Sequence, residues 1–135
     1  MNWQLFIAGL ISVSGALIHG IVGDRIVQSL NMASLPRNPF GNESSTKFLI
    51  RVSWHFVTIA FVVLGLGLIA IAMGPRSPAA PGVAYVAGVT MACWGIFGIG
   101  AVILRGGGIK TWFRHPAPYL LSAAAILIWW GAASL

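Results

Sequence analysis

Charged side chains are scarce in this sequence, and acidic ones are the scarcest. Asp, Glu, Lys and Arg make up 7% of the 135 residues, whereas about a quarter of an average soluble domain is charged. Too few polar groups are present to cover a water-exposed surface, so the composition excludes an ordinary soluble domain. The two acids, Asp24 and Glu43, are predicted to lie in the loop after the first apolar segment. This excludes a small multidrug antiporter that exchanges protons on a carboxylate inside the membrane, and it disfavours any carboxylate relay.

Reactive and metal-binding side chains are also few. The one cysteine, Cys93, cannot form an internal disulfide or a CxxC site, and we expect it to pack as a small apolar residue. A structural zinc site needs four ligands, and too few accompany the histidines, so no metal site is predicted. Ser12 and Ser14 lie about a turn or more from His19, with no acid to orient a base. No catalytic residue is therefore predicted.

Long apolar segments dominate what the sequence does contain. Hydrophobic residues make up 58% of it and concentrate in four segments, about 3–22, 48–73, 83–104 and 118–135. At about 1.5 Å per residue, a helix of about 20 residues crosses a hydrocarbon core of about 30 Å. We therefore predict an all-α polytopic membrane protein, in which residues 1–135 form a single four-transmembrane-helix antiparallel bundle. Short connections between the segments favour this arrangement.

Basic residues are distributed unevenly among the connections. Seven of the eight Lys and Arg lie in or beside the first and third connections, and the remaining one, Arg76, lies in the second. Because basic residues accumulate on the cytoplasmic side of a membrane, the first and third connections are predicted to be cytoplasmic and both termini extracytoplasmic. Short loops and an Ala- and Gly-rich composition are typical of a multi-pass protein of the bacterial inner (plasma) membrane.

The net charge of +6 is interpreted as a feature of the membrane surface. The basic residues flank apolar segments and form no polar domain, so no nucleic-acid partner is predicted. They are instead expected to contact anionic lipid headgroups of the bilayer. The predicted headgroup contacts of the third connection are Arg105, Lys110, Arg114 and His115.

Small residues indicate where the helices approach one another, because membrane helices associate through close backbone packing. The first segment has a stripe of them that continues to a histidine: Ala8, Ser12, Gly15 and His19. The third and fourth segments have similar stripes: Ala84, Gly88, Gly95 and Gly98, and Ser122, Ala125 and Ala132. All of these stripes are predicted to be packing faces.

Three ionisable residues fall inside the first two segments: His19, Arg51 and His55. Such residues are costly in a membrane and are candidates for function. Arg51, His55 and Thr58 share one helical face, since they are spaced at i, i+4 and i+7. The distances of His19 and His55 from the ends of their segments place them at similar depths in the cytoplasmic half of the membrane. We predict that they face each other between the first two helices, with Arg51 one turn nearer the cytoplasm.

Three interpretations of these residues stay open. In the first, both histidines hydrogen-bond neighbouring polar groups and tie the first two helices together. In the second, they are the axial ligands of a b-type haem, because imidazole binds iron and two rings can coordinate it across a gap. In the third, the histidines and Arg51 bind a quinone or an anionic lipid headgroup.

The small size, the lack of extramembranous mass and the small-residue faces favour a non-enzymatic role. We expect an accessory or structural subunit of a larger membrane complex, or a homo-oligomer. The main alternative is an electron-transfer protein that binds haem b or quinone at His19 and His55. A second alternative is a small oligomeric channel or transporter. Its pore would have to form between subunits, because the last two segments carry almost no polar groups.

Overall fold

The computed structural model of the chain describes residues 1–31, 33, 41–104, 106 and 116–135. Within these ranges no strand occurs, and 86% of the residues are helical. The four helices are α1 (Trp3–Ser29), α2 (Glu43–Met73), α3 (Ala80–Leu104) and α4 (Ala117–Ala133). The predicted all-α class, with the helical bundle of a membrane protein, is confirmed.

Length and apolar composition suit α1, α2 and α3 to crossing a membrane. They contain 27, 31 and 25 residues, and each includes a sufficiently apolar stretch. α4 is apolar and has 17 residues, which corresponds to about 26 Å of helix and the lower end of the spanning range. The first three predicted segments lie within α1, α2 and α3, and the fourth, 118–135, extends past the end of α4 at Ala133. α1 continues beyond its predicted end at Val22 to Ser29.

Contacts divide the chain into two compact units. Unit 1 consists of residues 1–12 and 64–135, and unit 2 consists of residues 13–63. Both α1 and α2 contribute residues to each unit. The assignment of residues 1–135 to a single domain stays a prediction.

In unit 1, α3 and α4 pack against each other extensively and run antiparallel. Three glycines of α3 contact successively earlier residues of α4: Gly88 with Trp129, Gly95 with Ser122 and Gly98 with Pro118. A Cβ atom at any of these glycines would come within 2.8 Å of its partner. The small-residue stripes predicted for the last two segments are therefore confirmed as packing faces.

Asn2 joins three helix ends in unit 1. Its side-chain Nδ2 donates to the carbonyl oxygen of Gly131 at 2.9 Å and to Ser134 Oγ at 3.1 Å. Its backbone N–H donates to the carbonyl oxygen of Ala72 at 2.9 Å. Its Oδ1 accepts from the backbone N–H of Leu5 at 3.1 Å, which satisfies a donor in the first turn of α1. The start of α1 thus lies beside the ends of α2 and α4.

The helix directions in unit 1 follow from the ends that lie together. α1 and α3 begin, and α2 and α4 end, at the side of the unit that contains Asn2 and the α2–α3 connection. α1 runs antiparallel to α2 and α4, and α3 runs antiparallel to α4. Farther along α1, Gly9 lies against the backbone of Gly65. The largest fully buried side chains of this unit come from all four helices: Leu5, Leu68, Met91 and Ile128.

Unit 2 is an antiparallel pair formed by the remainder of α1 and the first part of α2. Gly20 lies against Thr58, and Gly23 lies against the indole of Trp54. The Lys47 ammonium donates to the carbonyl oxygens of Gln28 at 2.7 Å and Leu30 at 3.2 Å. A cation at the end of α1 satisfies carbonyl groups that lack helical partners and complements the helix dipole.

The stripe predicted along α1 is correct at some positions and wrong at another. Ala8 and Ser12 are buried, as predicted. Gly15 is exposed, and a Cβ atom there would meet nothing within 4 Å, so its assignment to a packing face is wrong. Cys93 is also exposed and does not pack as a buried small residue. Both residues face away from their neighbouring helices because the contact face at their level is occupied by other residues of the same helix, such as Ala16 and Gly95.

Candidate polar cluster between α1 and α2

Asp24 is the centre of a polar cluster within unit 2. It lies on α1 rather than in a loop, which corrects the prediction from the sequence, because the helix continues to Ser29. Its Oδ1 accepts from Arg51 Nε at 2.6 Å and from His55 Nε2 at 3.2 Å. Its Oδ2 accepts from Arg51 Nη2 at 3.1 Å and from Gln28 Nε2 at 2.5 Å. We call these four residues the Asp24 cluster.

The hydrogen bonds of the Asp24 cluster determine the roles of its donors. Arg51 uses two nitrogens of its guanidinium on the two carboxylate oxygens, which is the strong bidentate geometry. An ionised carboxylate only accepts, so His55 carries its proton on Nε2 when it is neutral. The carboxylate side chain is 19% exposed, whereas those of His55 and Arg51 are 42% and 50% exposed. The acid is therefore the enclosed member, and its basic partners surround it.

His19 forms a second polar contact between the two helices. Its Nδ1 lies 3.0 Å from Thr58 Oγ1. The Thr58 hydroxyl has one hydrogen, which it donates to the carbonyl oxygen of Trp54 at 3.2 Å. With the hydrogen so placed, Thr58 Oγ1 accepts from a His19 that carries its proton on Nδ1, whereas in the other tautomer His19 Nδ1 accepts from Thr58.

Trp54 covers the face of the His19 ring. The two rings are stacked with centroids 4.3 Å apart and planes inclined by 6°. The indole Nε1 donates to the carbonyl oxygen of His19 at 2.8 Å. The indole fits against α1 only because position 23 is a glycine, since a Cβ atom there would overlap it. We call this arrangement the Gly23 notch.

The structure brings His19, Arg51 and His55 into unit 2, as the spacing predicted, but joins them to other partners. His19 bonds to Thr58, and His55 bonds to Asp24, so each histidine is paired across the two helices rather than with the other histidine. Arg51 lies one turn before His55 on α2 and meets the same carboxylate. Each histidine therefore contributes to holding α1 against α2.

A haem or a metal ion would need free ring nitrogens at this site. Given the hydrogen bonds above, those would be Nε2 of His19 and Nδ1 of His55, and the face of the His19 ring is already covered by Trp54. In the part of the chain that the structure describes, no group of three or more His, Cys, Asp or Glu could hold a metal ion. Haem, quinone and lipid binding at His19, Arg51 and His55 stay predictions. The predicted headgroup contacts Arg105, Lys110, Arg114 and His115 lie outside the described residues.

Asp24, Gln28 and Trp54 are the members of the site that sequence reasoning missed. A signal for two of them was present, since Asp24 and Gln28 are spaced at i, i+4 on one helical face. The Gly20 and Gly23 pair, spaced at i, i+3, also indicated a face of α1 open to a large side chain. Pairing of Asp24 with Arg51 joins positions 27 residues apart, and no local pattern predicts such a contact.

Comparison with protein-family models, with curated proteins and with solved structures found no match to this chain. The fold and the site define the class of an all-α membrane protein with a polar contact between its first two helices.

Proposed function

We propose that this chain is a non-enzymatic structural or accessory subunit of a membrane assembly, formed with a larger partner complex or with further copies of itself. The proposal rests mainly on one observation: the Asp24 carboxylate already accepts hydrogen bonds from side chains of its own chain. Both oxygens of Asp24 are engaged by side chains of the same helix pair, and Lys47 binds the end of α1. Such a cluster holds two helices together, which suits a structural role.

The hydrogen bonding of the buried polar side chains supports the same role. Among the described residues, no buried side-chain nitrogen or oxygen lacks a hydrogen-bond partner. Catalytic and ligand-binding sites commonly retain polar groups that only the substrate satisfies. The outward surfaces are apolar, with Phe97, Ile96 and Val86 among the most exposed side chains. Lipid or the apolar helices of a partner suit these surfaces.

Substitution of either histidine distinguishes a role in holding α1 and α2 together from a role in binding a cofactor. His19→Ala and His55→Ala should insert normally and lose about 0.6 kcal/mol of stability, the average for polar contacts between membrane helices. The purified protein should be colourless, with no Soret band in its absorption spectrum. Phe56→Ala is the matched control, because Phe56 adjoins His55 and is 68% exposed, and it should have no effect.

A bound cofactor would give the opposite pattern. The wild-type protein would then show a Soret band or retain a quinone through purification, and either histidine substitution would abolish it outright. A channel would show ion conductance that depends on assembly, because its pore would form between copies. Those results would replace the structural role with the corresponding alternative.

For the orientation, we propose a bacterial inner membrane with both termini extracytoplasmic and with the α1–α2 and α3–α4 connections cytoplasmic. The asymmetry of Lys and Arg supports this orientation. Anionic lipids attracted to the cytoplasmic basic residues are the proposed lipid partners. The Asp24 cluster would then belong to the cytoplasmic half of the protein.

Reporter fusions test this orientation. A fusion after Leu135 should be active as an extracytoplasmic reporter, and a fusion near Asn42 should be active as a cytoplasmic reporter. The expected reason is the seven-to-one distribution of basic residues between the two sides. The reverse pattern would place the Asp24 cluster in the outer half and would contradict the proposed orientation.

A further inference from the structure

The end of unit 1 at which the chain termini meet contains an open cavity of about 220 Å³. The start of α1, the end of α2, the α2–α3 connection, the first residue of α3 and the residues after α4 line it. Its polar lining consists of Asn2, Gln4, Arg76 and Ser134. Asn2 and Ser134 donate their side-chain hydrogens within the protein, so Gln4 and Arg76 are the donors that face a ligand. Trp3 also lines it and is 61% exposed, which is typical of an aromatic residue at the headgroup level of a bilayer.

Arg76 carries the charged side chain among the residues that line this cavity, and it has no acidic side chain to pair with in its unit. The only two acids of the sequence, Asp24 and Glu43, both belong to unit 2. Among the described residues of unit 1, no other Lys or Arg occurs. Arg76 is therefore an exposed guanidinium whose charge no side chain of its own unit neutralises.

The backbone on both sides of Arg76 is fixed. Before it, the N–H of Gly74 donates to the carbonyl oxygen of Ala70 at 2.8 Å. After it, the carbonyl oxygen of Ser77 accepts from the N–H of Ala80 at 3.0 Å. Pro75 precedes Arg76 directly and restricts the backbone further. Ligand binding at Arg76 therefore has to order the side chain but not the backbone that carries it.

We propose that this cavity binds a phosphate group, with Arg76 as its principal ligand. The planar guanidinium matches two phosphate oxygens in a bidentate pair, and the Gln4 amide supplies a further donor at the same opening. The phosphate can belong to a phospholipid headgroup or to a free phosphate anion, and the experiment distinguishes these sources. The proposal does not depend on the structural role of the Asp24 cluster, which lies in unit 2.

Native mass spectrometry of the purified full chain in detergent tests the site. The probes are phosphatidylglycerol, a diacylglycerol with the same acyl chains and inorganic phosphate. Phosphatidylglycerol should stay bound to the wild-type chain, whereas diacylglycerol, which lacks phosphate, should not. Arg76→Gln should weaken phosphatidylglycerol binding at least about tenfold, because a hydrogen bond to a charged group is lost. Arg76→Lys should give an intermediate value. Arg25→Gln removes the same charge from the exposed surface of α1 in unit 2, outside the cavity, and should weaken binding much less than Arg76→Gln.

Titration with inorganic phosphate shows whether the bound phosphate group belongs to a phospholipid headgroup or to a free phosphate anion. Binding of inorganic phosphate that requires Arg76 and displaces the lipid supports a site for the free anion as well as the headgroup. Lipid binding that requires Arg76 and resists inorganic phosphate supports a headgroup site alone. Equal binding of phosphatidylglycerol and diacylglycerol, equal losses in Arg76→Gln and Arg25→Gln, or no loss in Arg76→Gln would overturn the proposal. Should Arg76→Gln fail to fold, Arg76→Lys still decides, because wild-type affinity in that variant would contradict bidentate binding.

Discussion

Gly23→Ala should destabilise the α1–α2 pair by about 2–3 kcal/mol, because it fills the Gly23 notch. The new methyl group would overlap the Trp54 indole, so the indole would have to leave α1. Its stacking on His19 and its hydrogen bond to the His19 carbonyl would be lost together. Reversible unfolding in mixed micelles, or steric trapping in bilayers, measures the loss.

A matched substitution separates this packing effect from a change in helix propensity. Gly15→Ala lies on the same helix in the same unit, and its methyl group would meet nothing within 4 Å. Alanine is favoured over glycine in a helix by about 1 kcal/mol, so Gly15→Ala should be neutral or stabilising. Gly23→Ala should likewise become harmless when Trp54 is also changed to Ala. An undiminished loss in that double variant would show that the notch does not explain the effect.

Gly9→Ala should destabilise unit 1 by about 1–3 kcal/mol, because it overpacks a contact between two helix backbones. A Cβ atom at Gly9 would lie 2.7 Å from the carbonyl oxygen of Gly65 and 2.7 Å from Ile69 Cγ1. The carbonyl oxygen belongs to the backbone, so no side-chain rotation relieves the overlap and α1 must move away from α2. Thermal unfolding of the detergent-solubilised protein, followed by circular dichroism, measures the loss.

Gly67→Ala is the control for this prediction. Gly67 is also in the part of α2 that belongs to unit 1, and a Cβ atom there would meet nothing within 4 Å. This variant should match the wild type or exceed it slightly in stability. If Gly9→Ala and Gly67→Ala behave alike, the close approach of α1 and α2 at Gly9 is not a stabilising contact.

Helix number and position could be predicted from the sequence, because apolar segments of membrane length leave few alternatives. The stripe of Ala84, Gly88 and Gly95 was predictable for the same kind of reason, since its helical spacing places all three on one face. Hydropathy did not predict where α1 ends, because Asp24 ends the apolar run but the backbone remains helical to Ser29. Hydropathy measures transfer into lipid, whereas the hydrogen bonds of the helix continue through polar residues.

The candidate site shows where prediction from a single sequence stops. The shared face of Arg51, His55 and Thr58 follows from spacing, and the structure places all three toward α1. Which residue of α1 each one meets depends on the axial register of the two helices. A shift of one turn would exchange partners, and the prediction that His19 faces His55 differs from the structure by about that amount. Stacking of Trp54 on His19 depends on the same register.

Native mass spectrometry of the chain released directly from its own membrane tests the structural role most directly. The proposed role predicts that the 14.3 kDa chain leaves the membrane within a heavier particle, composed of other protein chains or of further copies. It also predicts that no added mass corresponds to a haem or a quinone on the chain. A single chain that carries a haem or a quinone, and loses it in His19→Ala or His55→Ala, would contradict the structural role and establish a cofactor-binding protein.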